Sequence, residues 1–220
     1  MSGQSFKSDL FEQFARIGKA LSSGKRLEML EFLGQGERSV EQLARMTGLS
    51  VANTSQHLQL LRQLGLVVAR KEGLYVRYRI AGDGIVRLLT ALRAVGEEHL
   101  ADVDRLVKLF HEGKDSLEPV PARELWQRAR QGLVTVLDVR PPEEYAQGHI
   151  RGAINVPVAE LKKRLHQIPA DQEVVAYCRG PYCLLAYEAV QLLRKKGIQA
   201  RRLEEGYPEW KSAGLPVDAP

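Results

Sequence analysis

The chain has 220 residues, 32 Lys and Arg against 27 Asp and Glu, and 44% apolar residues. That length accommodates one large domain or two small ones, and the apolar content is far from that of a disordered chain. Charged residues interrupt every apolar run well short of the roughly 20 residues a membrane helix needs. The start, MSGQSFKSDLFEQF, lacks the apolar core and small-residue cleavage site of a signal peptide. A cytoplasmic protein with no membrane partner is therefore expected, and in a reducing compartment its two Cys are reactive or buried rather than a disulfide framework.

Net charge is +5, which permits a nucleic-acid partner without requiring one. Placement is more informative. Between Arg38 and Arg79 there are seven basic residues and only two acidic ones, Glu41 and Glu72, so the excess is local. Residues 112–125 (EGKDSLEPVPAREL) combine Gly113, Asp115, Ser116, Pro119 and Pro121 and mark a boundary, giving domains 1–114 and 115–220.

In chain order, Phe6, Leu10, Phe14, Ile17 and Leu21 recur at helical spacing. A second helix is expected from Lys25 to Leu33. A third starts at Ser39, with Glu41 and Gln42 as capping-type residues, and ends near Thr47-Gly48. Ser50 caps a fourth that runs to Leu64 and stops at Gly65. LVVARKEGLYVRYRI reads as two strands around Glu72-Gly73, and Ile85, Leu88, Leu92, Val95, Val103, Val107 and Phe110 as one long amphipathic helix.

Helix, short turn, helix and basic hairpin is the order of a winged helix-turn-helix. At about 100° per residue, Val51, Thr54, Leu58 and Leu61 share one face of the fourth helix. Ala52, Ser55, Gln56, Gln59, Arg62 and Gln63 share the other. Gln and Ser there donate to and accept from base edges, while Arg70, Lys71, Arg77 and Arg79 suit phosphate or minor-groove contact. A merely solvated polar face is the alternative for an isolated helix; the attached turn and hairpin favour double-stranded DNA.

LSVANTSQHLQLLRQLGLV and RKEGLYVRYRI carry a resemblance, over about residues 8–110, to the ArsR/SmtB family of bacterial repressors. The resemblance implies a homodimer built on the first and last helices, recognition helices in successive major grooves, and base contacts from Ser55, Gln56 and Gln59. His57 reads as a packed or phosphate-facing residue. Family metal sites use Cys in the third helix, which here reads VEQLARM and has none. Glu98, His99 and Asp102 on the last helix are too sparse for a site needing about four convergent ligands and read as solvated charges. The paired Cys of persulfide-sensing relatives are also missing from this half, so it has no obvious sensor of its own.

The second half alternates β runs and helices, the pattern of an α/β domain with a central parallel sheet. Val134–Val139 is one apolar run, ending at Asp138 and Arg140. Glu173–Tyr177 is another, followed by Cys178, Arg179, Gly180, Pro181, Tyr182 and Cys183, and then by a helix from Leu184 to Lys196. A Cys at the end of a buried strand, in a loop opening a helix, lies where such sheets keep their sites. Converging loop amides, the helix N-terminus and the Arg179 charge all favour the thiolate, which suits attack on an anionic sulfur donor. Either Cys read alone could be an inert buried residue. The loop context favours function for Cys178 and leaves Cys183 open.

VLDVRPPEEYAQGHIRGAINVP, YCRGPYC and EEGYPEW carry a resemblance, over about residues 118–218, to the rhodanese family. It implies Cys178 as the nucleophile that becomes a persulfide, Arg179 to Cys183 as an N–H cradle, and Asp138 and Arg140 as loop support. The loop from Cys178 to Cys183 has the sulfurtransferase length rather than the longer phosphatase-like one, against a phosphate or arsenate substrate. Glu205 stands where Gly is common. Ile150, Ala153 and Trp210 read as packing residues and His149 as structural, since a thiolate transfers sulfur without a separate base.

The combined expectation is a dimeric, operator-binding repressor whose second domain senses or transfers sulfane sulfur through a Cys178 persulfide, with thiosulfate or a polysulfide as donor and no other cofactor or metal. A working sulfurtransferase that controls its own expression is the alternative, and an inactive partner module a third.

Overall fold

A computed structural model describes residues 3–111, 119–169 and 171–219. Contacts divide the chain into two units, Met1–Ile85 and Val86–Pro220. The expected boundary at 114/115 lies outside the described residues. The chain folds as a mainly helical winged helix-turn-helix followed by an α/β domain with a parallel sheet.

In the first unit, α1 (Gly3–Leu21) and α2 (Gly24–Gly34) precede a short strand, β1 (Arg38–Ser39). Helix α3 (Val40–Thr47) is opened by a capping box: the Ser39 hydroxyl accepts from Gln42 N–H while the Gln42 side chain accepts from Ser39 N–H. Such reciprocal capping satisfies two orphan donors of the first turn and contributes about 1 kcal/mol. Gly48, at φ 69°, ends the helix in the left-handed region that its missing Cβ permits. Helix α4 (Val51–Gln63) begins at Ser50, which accepts from Asn53 N–H.

Strands β2 (Val67–Glu72) and β3 (Tyr75–Ile80) pair antiparallel, with Glu72 opposite Tyr75, and β1 pairs with the far edge of β3. The hairpin turn is therefore Gly73-Leu74, one residue beyond the expected Glu72-Gly73. Gly73 takes φ 60° at the first central position, the place where a two-residue hairpin turn favours glycine. Met29, Leu30, Leu33, Leu43, Leu58, Leu61, Val67 and Tyr78 form the core.

The expected single helix from Ile85 to Phe110 is two: α5 (Asp83–His99) and α6 (Ala101–His111). Between Val95 and Leu100 the sequence has Gly96, Glu97, Glu98 and His99, four residues with no apolar side chain to hold a turn. Asp102 and Asp104 then favour the first turn of a new helix through its macrodipole.

In the second unit, a four-stranded parallel sheet has the order β6 (Ile154–Asn155), β4 (Val134–Asp138), β7 (Glu173–Tyr177), β8 (Ala200–Arg202). Helices α7 (Ala122–Arg130), α8 (Pro142–Tyr145), α9 (Val158–Arg164), α10 (Leu184–Lys195) and α11 (Tyr207–Ser212) connect and cover it. A small antiparallel pair joins β5 (His149–Ile150) to β9 (Val217–Asp218). Strands β4 and β7 are buried on both faces, as a covered parallel sheet requires.

The two-residue period sorts the side chains of these strands. Leu137, Val174, Ala176 and Cys178 join one core with α10, while Val136, Val175 and Tyr177 join the other with Trp210 and Tyr207. Cys178 is thus delivered to the α10 side, and Tyr177 to the opposite side.

Candidate functional site

The first unit presents a polar face. On α4, Thr54, Leu58 and Leu61 are buried and anchor the helix. Gln56, Gln59, Arg62, Gln63 and Ala52 are exposed and Ser55 is half-buried, so the expected base-reading side chains share an accessible side. Val51, expected on the core face, is exposed because it lies in the first turn, beyond the reach of the packing helices.

The hairpin is less uniformly basic than its sequence. Arg70 donates to Glu37 at 2.9 Å and to Glu72 at 3.2 Å, Arg77 pairs with Glu72, and Arg79 lies 3.9 Å from Glu37. Glu37 falls just outside the basic stretch in the sequence and is folded into it. The Arg77 hydrogen bond holds the Glu72 carboxyl below its ordinary value, and Glu37 raises Arg70. Such exposed pairs are weak and screened by solvent, so a phosphate can displace them. Lys71 is exposed and makes no ion pair among the described residues.

In the second unit, β7 ends at Cys178, which is 1% exposed. Cys178 and Cys183 are bonded, with Cα atoms 6.4 Å apart, inside the span a disulfide bridges. The Cys178 sulfur lies 3.7 Å from the Cys183 carbonyl oxygen and 4.0 Å from that of Gly180. Cys183 N–H donates to Gly180 C=O at 3.1 Å, which closes the loop and takes up one amide of the expected cradle.

The Arg179 guanidinium faces Glu144 on α8. Nε lies 3.1 Å from each carboxylate oxygen and Nη2 lies 2.7 Å from one of them. Glu144 is only 3% exposed, and a buried carboxylate requires a cationic partner. Arg179 therefore anchors the loop to α8 through Glu144.

Beneath the loop lies a fully buried ion pair. Arg140 Nε lies 3.0 and 3.1 Å from the two Asp138 oxygens, and Nη2 lies 2.6 Å from one of them and 2.8 Å from Gly148 C=O. The Tyr177 hydroxyl donates to Asp138 at 2.6 Å and accepts from Ile150 N–H. Burial opposes the Arg140 charge, but the hydrogen bonds and charge of Asp138, together with Tyr177 and Glu144, outweigh it and raise its pKa. Burial, with Asp138 nearby, pushes Tyr177 well above its ordinary value, which keeps it a donor. The cluster ties β4 to the residue preceding Cys178.

Tyr207 N–H donates to Cys178 C=O at 3.2 Å, and a Cβ on Gly206 would stand 2.5 Å from the Arg179 carbonyl and from Gly180 N. Gly206 thus lets α11 lie directly against the loop. Glu205, at this turn, is half-buried; burial raises its pKa, and Glu209 and Glu204 add to it. Ile150, Ala153 and Trp210 are buried in the sheet core. His149 stacks on Tyr145 at 3.6 Å, and its Nδ1 lies 3.0 Å from Tyr145 O. Glu144, Tyr177, Gly206 and Tyr207 are not singled out by sequence reasoning, although each lies inside one of the three motifs VLDVRPPEEYAQGHIRGAINVP, YCRGPYC and EEGYPEW.

Among the described residues, no group of three or more His, Cys, Asp or Glu is placed to hold a metal ion. His99 lies beside Glu98, and Asp102 pairs with Arg105. No helix among the described residues is long and apolar enough to cross a membrane.

A winged helix-turn-helix joined to a strand–Cys–loop–helix domain defines a DNA-binding transcriptional regulator with a rhodanese-like domain. Residues 23–68 match the family of bacterial regulatory proteins called arsR, and residues 121–213 match the rhodanese-like domain. The chain is 47% identical to the HTH-type transcriptional regulator Rv0324 of Mycobacterium tuberculosis over 220 residues, which cover 99% of this chain and 96% of that protein. The chain belongs to the arsR family, in a form that carries a rhodanese-like domain.

A sulfurtransferase of Allochromatium vinosum is 36% identical over 88 residues, 40% of this chain and 80% of that one. Among solved structures, the homodimeric winged helix-turn-helix fragment of Mb0332 from Mycobacterium bovis, a possible ArsR-family regulator, is 47% identical. It covers 46% of this chain and 95% of its own, at a TM-score of 0.42.

Proposed function

We propose that this regulator is a dimeric repressor that takes up sulfane sulfur at Cys178 and changes its operator affinity in response. The observation that carries the reading is the Cys178–Cys183 pair held in one loop at the end of β7. In the first step, the Cys178 thiolate attacks the terminal sulfur of a hydropolysulfide. The donor S–S bond breaks, a shorter sulfide anion leaves, and Cys178 carries –S–SH. In the second, the Cys183 thiolate attacks the Cys178 sulfur and hydrosulfide leaves, so the two thiols end as a disulfide and the sulfane sulfur as sulfide. No metal or organic cofactor enters either step. Cys178 is the nucleophile and Cys183 the resolving residue. Gly180, Pro181 and Tyr182 span the loop, while Arg179, Asp138 and Arg140 position it.

The apolar residues Phe6, Phe11, Phe14, Leu88, Leu92 and Val95 of α1 and α5 are exposed, which supports the homodimer that the family resemblance implies. Ser55, Gln56, Gln59 and Arg62 read base edges, and Arg70, Lys71 and Arg77 bind the backbone. Steady sulfur transfer from thiosulfate, the second reading, is supported by the similarity to a sulfurtransferase. It is disfavoured by the pairing of Arg179 with Glu144, which removes the cation that would attract a dianionic donor.

The test is intact mass spectrometry with operator binding, before and after hydropolysulfide, on wild type and Cys178→Ser. A mass gain or bridge at Cys178 with a change in affinity is expected. Equal affinity in all states rejects sensing, and thiosulfate turnover without that change establishes the enzyme reading.

A further inference from the structure

Within the second unit, α5 and α6 seat on the cysteine loop by two separate routes. On one, the Tyr182 hydroxyl, between the two Cys, donates to Glu97 of α5. Phe110 of α6 packs edge-on against Tyr182 at 6.1 Å and against the buried Tyr187 at 5.4 Å. On the other, Arg93 of α5 pairs with Glu209, whose second oxygen accepts from Gly206 N–H, and Gly206 lies against Arg179 and Gly180. One route holds the tip of the loop and the other its base. No part of the sulfur chemistry requires Glu97, Arg93 or Phe110.

We propose that α5 and α6 are the readout element of the cysteine loop, and that Glu97–Tyr182 and Phe110 are the contacts through which the state of Cys178 and Cys183 displaces them. The physical reason is volume. Cys178 is 1% exposed, with carbonyl oxygens 3.7 and 4.0 Å from its sulfur. A close-packed interior does not admit another sulfur atom there without moving its neighbours. Tyr182 lies in the loop between Cys178 and Cys183, which closes when the cysteines bond and opens when they part. Whatever it does is transmitted to Glu97 and to the Phe110 ring. Helix α5 is also the helix on which the dimer is expected, so one rigid element faces both the loop and the partner copy.

This inference rests on the sulfur-responsive reading, but its test does not need sulfur. Full-length protein is prepared as the dithiol, and as the disulfide with diamide, an azo oxidant that takes up both thiol hydrogens. Hydrogen exchange over residues 86–111 is then compared. Exchange differing by roughly fivefold or more is expected in the wild type, with the difference lost in Glu97→Ala and in Phe110→Ala although both variants close the bridge. Equal exchange in the two wild-type forms overturns the proposal, as does an undiminished difference in both variants. A hydropolysulfide arm separates the two ideas: no mass change at Cys178 there rejects the sulfur reading, while the diamide arm still decides the coupling.

Discussion

Arg179 and Glu144 form a bidentate pair whose carboxylate is almost wholly buried, although Arg179 immediately follows Cys178, the proposed nucleophile. The charge nearest the sulfur in sequence is therefore a structural clamp. Geometry rather than charge is what the loop takes from this side chain.

Arg179→Lys separates the two roles, because an ammonium keeps the charge and loses the fork. Sulfur loading of Cys178, followed by mass spectrometry, is expected to fall about as far in Arg179→Lys as in Arg179→Ala, by roughly tenfold, the cost of about 1.4 kcal/mol of lost positioning. Wild-type loading in the Lys variant would restore the electrostatic role.

Asp138→Asn removes the carboxylate that forms the bidentate pair with buried Arg140. Breaking a buried pair costs about 3–5 kcal/mol, so urea denaturation should show the second unit's transition moved to much lower denaturant. Sequence-specific DNA binding at low temperature should survive, since no base-reading residue is touched.

Gly206→Ala forces a Cβ to within 2.5 Å of the loop backbone. The loop must shift, at about 1–3 kcal/mol. Loss of the Cys178 mass gain with unchanged salt-dependent DNA binding is the expected pair of results.

Glu205 sets a pH dependence of defined sign. Burial, then Glu209 and Glu204, raise its folded pKa above the ordinary 4.5. Between those two values the folded state binds more protons than the unfolded one, so stability falls as pH rises through that window. Glu205→Gln should melt above the wild type at neutral pH, and the difference should vanish once the pH drops below 4.5. A constant difference at all pH values would assign the effect to packing.

Gln56→Ala or Gln59→Ala should relax base preference by about 1–3 kcal/mol at one position, whereas Lys71→Ala should weaken all sequences and reduce the salt slope by about 1. Glu72→Gln acts in reverse: it releases Arg77, while Arg70 stays on Glu37, and filter or anisotropy titrations should show tighter, more salt-sensitive binding.

The elements themselves were legible because their signals are local. Ser39 and Gln42, Ser50, Gly48 and Gly65 fix helix ends through groups within a few residues, and continuous apolar runs mark β4 and β7 as buried strands. The split of the last helix was missed because apolar positions recur on both sides of Leu100 and conceal the weak turn between them. The hairpin's positive charge was overstated because Glu37, 33 residues from Arg70, enters only on folding.

By itself, then, the sequence determined two domains, an α4 face carrying Gln56 and Gln59, and a Cys178 placed where a buried strand meets a helix. Tertiary structure decided the partners. Glu144 lies 35 residues from Arg179, and Glu97 lies 85 residues from Tyr182. Periodicity and capping are properties of neighbours along the chain. The compensation of a buried or clustered charge is a property of neighbours in space, and only the folded chain brings those together.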